Sequence, residues 1–281
     1  MIAVIVPVYN GEKTIIQSID SIIKQDFENW ICIIINDGST DNTSKVISRF
    51  EGDDRFVVVQ LCENKGRGFV RNMGLKIALE LDCEYLCMLD ADDLYAMSKL
   101  KKQYEFMSIN TQYTLCSMSL GVFNEQGLYR VMETSCYNQS MKCTDYFTMI
   151  PVPHASSIIR LSDVKINFNE DLKYAEDQDF LRRLLKGKEY FFLSEIGYYY
   201  NRDLSFSFKK YMETYKSTVK SYKSLNVSFF RVSIFTIKSL IKASILKILL
   251  MSNNIEYYYN SIGRKVKDSE IEEFKKISES L

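Results

Sequence analysis

The chain has 281 residues, with 36 Lys and Arg balancing 36 Asp and Glu and a pI of about 6.6. That balance argues against a dedicated nucleic-acid binder, whose footprint would be basic overall. With 46% hydrophobic and 26% charged residues, 3 prolines and 11 glycines, the chain is neither disordered nor collagenous, and its length suits one large domain plus an appendage, or two small ones.

Residues 2–6 are a β-branched run stopped by Pro7, which predicts a first strand. No basic region or cleavage site precedes it, so no signal peptide is expected. Ile15, Ile16, Ile19, Ile22 and Ile23 follow helical spacing over 14–24. Residues 30–35 are continuously apolar, as in a strand buried on both faces, and lead into Asn36-Asp37-Gly38-Ser39. Thr40 or Asp41 is placed to cap a helix running through Phe50. A third strand is expected over 56–61, a third helix over 71–81 after the turn at Gly66 and Gly68, and a fourth strand over 85–89. These alternations predict a mostly parallel, doubly wound sheet, which binds ligands at the carboxyl ends of its strands. The polar loops after the first, second and fourth strands are therefore the candidate site.

From 111 to 131 the pattern becomes hairpin-like, with turns at Asn124-Glu125 and Gly127. A helix is expected over 144–149, a strand over 156–160, a helix over 177–186, and then two short aromatic strands ending at Tyr200. Seven cysteines occur without a CxxC pair or a zinc pattern, and Cys32 and Cys87 sit in apolar runs; reduced, core-packed thiols of a cytosolic protein are expected.

The tail differs in composition. Between 209 and 247 the basic residues Lys209, Lys210, Lys216, Lys220, Lys223, Arg231, Lys238, Lys242 and Lys247 face one acidic residue, Glu213, with apolar residues interleaved. Charges break the apolar run too often for a membrane span, and the pattern predicts a basic amphipathic helix. Such a helix fits peripheral attachment to an anionic cytoplasmic leaflet, packing on the rest of the chain, or a homodimer interface.

The sharpest local feature is Asp90-x-Asp92 at the end of the fourth strand. Clustered carboxylates repel unless a cation lies between them, and Mg²⁺ or Mn²⁺ shared with a substrate diphosphate is the usual solution. Asp93 is expected to cap the helix that follows. Tyr9, in Pro7-Val8-Tyr9-Asn10-Gly11, could stack on a base; Asp37 could accept a uracil N–H or serve its own turn. Gly66-Arg67-Gly68-x-x-Arg71 follows the third strand and is not a full dinucleotide fingerprint. Arg71, at the expected helix start, is placed to meet a phosphate or to hold the Asp90 region. In Glu176-Asp177-x-Asp179 the acids suit a helix N-terminus, and one of them could be a general base.

Taken in order, VIVPVYNGEKTIIQSIDSIIKQ, IIINDGSTDNT, NKGRGFVRNMGL, YLCMLDADDLY, PHASSIIR and YAEDQDFLRRLLKG resemble the inverting glycosyltransferases of family 2, over about residues 1–207. The resemblance implies the GT-A fold: an α/β, doubly wound, mostly parallel sheet with a small antiparallel part, followed here by a C-terminal helical extension over 208–281. It implies transfer of a hexose from a UDP-sugar to a hydroxyl of a surface polysaccharide or lipid-linked oligosaccharide, with Mn²⁺ or Mg²⁺ and without nucleic acid. The setting would be cytoplasmic, or peripheral on the cytoplasmic face of the inner membrane. Pro7, Val8, Tyr9, Asp37, Arg71 and Asp90 would form the nucleotide site, Asp92 would ligate the metal, and Asp177 would be the catalytic base. Glu176, Asp179 and His154 would help position the base or the acceptor. Arg202, Ser205 and Ser207 would close over the diphosphate. For His154, the sole histidine, a core role is the alternative reading.

Two other functions fit the sequence less well. A nucleotidyltransferase should carry a Gly-rich, basic loop after its first strand, where only Lys13 lies near. An inactive sugar-binding module is opposed by the intact Asp90, Asp92 and Asp177.

Overall fold

Alternate side chains of the first strand feed two cores at once. In β1 (Ile2–Val8), Ile2, Val4 and Val6 enter one apolar cluster, and Ala3 and Ile5 enter another on the opposite face. The strand is therefore apolar without alternation. The computed structural model describes residues 1–132, 138–202, 207–252, 254–255, 258, 262–279 and 281. Helices α1 (Ile15–Ile23), α2 (Thr43–Ile47) and α4 (Lys99–Ile109) cover the first cluster through Ile15, Ile19, Ile22, Ile47, Leu100 and Met107. Helices α3 (Arg67–Glu80) and α5 (Glu176–Leu185) cover the second through Val70, Leu75, Phe180 and Leu184.

The remaining strands are β2 (Trp30–Asn36), β3 (Phe56–Gln60), β4 (Tyr85–Met88), β5 (Leu94–Tyr95), β6 (Tyr113–Asn124), β7 (Gly127–Met132), β8 (Gln139–Lys142), β9 (Ile158–Arg160) and β10 (Glu189–Asn201). Their order is β3-β2-β1-β4-β9-β6-β10-β5, with β7 on β6 and β8 on β10. The β3-β2-β1-β4 half is parallel; β9 runs antiparallel to both neighbours, as do β5 and β8 to β10. The doubly wound, mostly parallel sheet with an antiparallel part is thus as expected.

Several local expectations need correction. Helix α3 begins at Arg67, because Gly66 at φ 88° is itself the cap; Arg71 therefore lies a turn inside the helix. Residues 144–149 form turns: the Asp145 carboxylate accepts the N–H of Phe147 and Thr148 and the Thr148 hydroxyl, a local alternative to helical bonding. The two aromatic strands are one, β10, whose register shifts between Leu193 and Tyr198 are bulges and not a turn. Asp93 caps nothing. It is buried beneath the site, accepting from the Tyr198 hydroxyl at 2.6 Å and the Asn201 N–H at 2.7 Å. Burial, then the charges of Asp90 and Asp92, push its carboxyl up to about 9.

The basic tail forms two helices, α6 (Phe208–Ser224) and α7 (Phe229–Met251), which pack together with the Tyr222 ring edge-on to Phe235 at 5.2 Å. The last helix, α8 (Asp268–Ser278), returns to the sheet and places Phe274 and Ile277 against Leu94, Ala96, Leu128 and Tyr199. Among the described residues no helix is long and apolar enough to cross a membrane.

Candidate functional site

Parallel register brings the candidate loops to one edge. Val8 of β1 pairs with Asn36 of β2, and Ile5 pairs with Met88 of β4. Tyr9, Asp37 and Asp90 therefore leave the sheet side by side, at the carboxyl ends of its strands, where doubly wound sheets bind ligands. They wall a 340 Å³ cleft together with Pro7, Val8, Arg67, Asp92, Tyr200 and Lys210.

The first two loops are stitched to one another. The Asp37 N–H donates to the Val8 carbonyl, the Asn10 N–H to Ser39 Oγ, and the Thr40 N–H to Asn10 Oδ1. This leaves Tyr9 exposed at the rim of the cleft. Gly38, at φ 66°, lies so close to the next loop that a Cβ would stand 2.4 Å from the Glu63 carbonyl carbon. That approach lets the buried Asp37 carboxylate accept the N–H of Lys65 at 2.7 Å and of Gly66 at 3.0 Å. One carboxylate thus ties the second loop to the start of α3.

Asp90 and Asp92 share the third loop. The Asp90 N–H donates to the Tyr198 hydroxyl at 3.2 Å, and Arg71 Nη2 lies 3.4 Å from Asp90 Oδ1. Burial raises the Asp92 carboxyl above its ordinary value, the charge of Asp90 adds to this, and Lys210 opposes it. A carboxylate whose charge is disfavoured by burial and by a second carboxylate in the same loop belongs to a donor set that a hard divalent cation relieves, and phosphate oxygens and water would complete its shell. The residues therefore fit the ion the sequence implies. Among the described residues no group of three or more His, Cys, Asp and Glu is arranged as a metal site.

Across the cleft a buried ionic bridge fixes α5. Arg71 Nη1 lies 2.7 Å from Glu176 Oε1, and Arg67 Nε lies 3.2 Å from the same oxygen. Arg71 and Glu176 are both buried, and they join α3, α5 and the Asp90 loop. Ala175, just before the helix, is held at φ 56°, a left-handed conformation uncommon outside glycine and asparagine. Asp177 follows, half-buried, accepting the Gln178 N–H at 2.7 Å and lying within electrostatic reach of Arg71. Removing one partner of a buried pair strands the other charge. Glu176→Ala is therefore expected to lower the unfolding free energy by about 3 kcal/mol or more, which urea denaturation would measure; a change under about 1 kcal/mol would show that the bridge does not hold the helix start.

The other expected residues lie elsewhere. Asp179 is buried with Oδ1 accepting from the Ser221 hydroxyl at 2.5 Å and Oδ2 paired with Arg183 at 2.7 Å; it ties α6 to α5 and does not line the cleft. His154 is buried edge-on to Phe168 and Phe180, and its Nε2 has no hydrogen-bond partner among the described residues. Burial, then the cation of Arg71, lowers it to about 3, against an opposing contribution from Asp90. A histidine depressed in the folded state contributes stability that is full above its unfolded value of about 6.5 and is lost as pH falls toward 3. Between about pH 6.5 and pH 5 the wild-type chain should lose about 2 kcal/mol more unfolding free energy than His154→Gln. Equal losses for the two chains would contradict this.

Arg202 and Ser207 line a second cleft of 500 Å³, which shares Tyr200 and Lys210 with the first. Ser207 also caps α6, accepting the Lys210 N–H at 3.2 Å. Ser205 lies outside the described residues. Sequence reading missed Arg67, Tyr200 and Lys210. Arg67 stood inside a motif already singled out, and Lys210 three residues after Ser207, but neither spacing alone showed that both would line the cleft with Asp90 and Asp92.

The sequence profile described as Glycosyl transferase family 2 matches residues 3–166, more than half of the chain. The chain is similar to the poly(ribitol-phosphate) beta-N-acetylglucosaminyltransferase TarS of Staphylococcus aureus, 32% identical over 204 residues, covering 70% of this chain and 35% of that protein. It thus spans about a third of that relative's length. The crystal structure of S. aureus TarS 1–349 with UDP-GlcNAc superposes with a TM-score of 0.63 at 24% identity, covering 85% of this chain and 71% of that one. A mannosyltransferase from Pyrobaculum calidifontis, in complex with GDP-Man and Mn²⁺, superposes with a TM-score of 0.58 at 14% identity, covering 92% of this chain and 81% of that one. These likenesses show a shared fold.

Proposed function

The chain belongs to glycosyl transferase family 2, and from that premise we propose that it transfers a hexose from a UDP-sugar to an acceptor hydroxyl with inversion at the anomeric carbon. The observation that carries this reading is the cleft itself. Tyr9, Asp37, Asp90 and Asp92 meet at the strand ends, and the Arg71–Glu176 bridge fixes the start of α5, which carries Asp177, beside them.

In this reading Tyr9 stacks on the uracil, Pro7 and Val8 shape its loop, and a free lone pair of Asp37 accepts the imide N–H. Arg71 holds Asp90 toward the ribose. Lys210, with Arg202 and Ser207, meets the diphosphate, where the first turn of α6 adds its N-terminal dipole. Asp92, with Asp90 beside it, would hold the divalent cation, which when bound supplies a Lewis acid for the charge growing on the leaving diphosphate. Asp177 takes the proton of the acceptor hydroxyl as its oxygen attacks the anomeric carbon from the face opposite the diphosphate. Glu176 positions that helix start; His154 and Asp179 act through packing. Positioning and electrostatics provide the acceleration, and no covalent enzyme intermediate is needed.

The second cleft, with Tyr129, Tyr200 and Tyr211 beside Arg130, suits a glycan acceptor. A surface polysaccharide or a lipid-linked oligosaccharide is the proposed class, supported by the polymer named for the TarS relative. Residues 1–207 form the catalytic unit in this proposal, and 208–281 an extension that supplies Lys210 and works at the cytoplasmic face of the membrane. A panel of UDP-sugars with glycan acceptors tests the reading. Release of UDP, stimulated by Mn²⁺ or Mg²⁺, is expected; release of pyrophosphate from UTP and a sugar phosphate, or of nothing, would overturn it.

A further inference from the structure

Helix α7 has two apolar faces, and among the described residues only one is covered. On the inner face Val232, Ala243 and Leu246 are buried, Phe235 packs on Tyr222, and Arg231 at the helix start bonds Asp145 at 2.5 Å. Turning about 100° per residue, the helix carries Phe229, Phe230, Ile237, Ile241, Ile248 and Met251 on the opposite side. All are exposed, up to 88% at Phe229. With Leu240 and Ile245 they span one arc of roughly 160°, interrupted only by the small uncharged Ser233 and Ser244, and no charged residue falls inside it. Lys247 stands at one border and Lys238 at the other, with Lys242 beyond.

An apolar stripe this long is not the scattered exposure of an ordinary surface. Its charge setting identifies the occupant. Nine basic residues and one acidic residue lie between 209 and 247, and Lys238 and Lys247 make no ion pair among the described residues. No described helix is long and apolar enough to cross a membrane. We propose that α7 lies in the plane of an anionic lipid leaflet, its outward arc at the boundary of headgroups and acyl chains and its bordering lysines at the lipid phosphates.

The attachment point is close to the site. The Tyr211 hydroxyl donates to the Ser239 carbonyl in the middle of α7 at 3.1 Å, and Tyr211 follows Lys210, which lines both clefts. The clefts are thus anchored at the lipid surface, a placement independent of which sugar is transferred.

The test uses the full chain and sedimentation with vesicles of phosphatidylcholine alone or mixed with phosphatidylglycerol. The chain should bind the mixed vesicles at least about tenfold more tightly than the neutral ones, and added salt should weaken that binding. The pair Ile241→Asp and Ile248→Asp should abolish binding with an unchanged thermal midpoint and circular dichroism, since both residues face outward. The pair Lys238→Glu and Lys247→Glu should remove the preference for anionic lipid. Equal binding to both vesicles, no binding, or outward-face variants that bind like wild type would overturn the proposal. So would light scattering that shows a dimer which the aspartate variants dissociate, in a chain that does not bind vesicles.

Discussion

Asp177→Asn is expected to lower kcat by roughly 10³-fold while UDP affinity stays within about twofold of wild type, the scale of a lost general base. The two effects separate because of where the residue sits. Asp177 enters from α5, whose start is held by Ala175 and the Glu176 bridge, whereas the loops proposed to hold the nucleotide leave the sheet after β1, β2 and β4. Asparagine keeps the size and the bond to the Gln178 N–H but cannot accept a proton. Single-turnover kinetics with equilibrium UDP binding would check this; lost UDP affinity with an unchanged turnover rate would reverse the assignment.

Asp92→Asn is expected to be nearly as severe, about 10²- to 10³-fold in kcat with weaker donor binding, and chelation of divalent ions should reproduce the loss in the wild-type chain. Burial and Asp90 already raise the Asp92 carboxyl, so removing its charge relieves a repulsion in the free protein and the fold should persist or gain slightly. A melting curve run beside the assay separates the two readouts. Full turnover in excess chelator would remove the ion from the account.

The first half of the chain was legible because its physics is local. Uninterrupted apolar runs at β1, β2 and β4 meant strands covered on both faces, and parallel pairing then forced their carboxyl ends, with Tyr9, Asp37 and Asp90, to one edge. Residues acting over long sequence distance were less legible. Asp93 reads as a cap beside its chain neighbours, but its partners are Tyr198 and Asn201, more than a hundred residues away. Asp179 reads as part of an acidic site, but Ser221 on α6 claims it. The bulges of β10 look like a break because Gly197 interrupts the aromatic run. The tail showed its charge and periodicity, but its division into α6 and α7 decides which apolar residues are covered and which face outward.

The central claim is a one-step displacement in which Asp177 accepts the acceptor's proton. The anomeric configuration of the transferred sugar, read by proton NMR on the product of the active UDP-sugar, tests it most directly. The account predicts a configuration opposite to that of the donor, with no sugar attached to the protein by intact-mass measurement; a retained configuration, or a trapped glycosyl-enzyme, would contradict it.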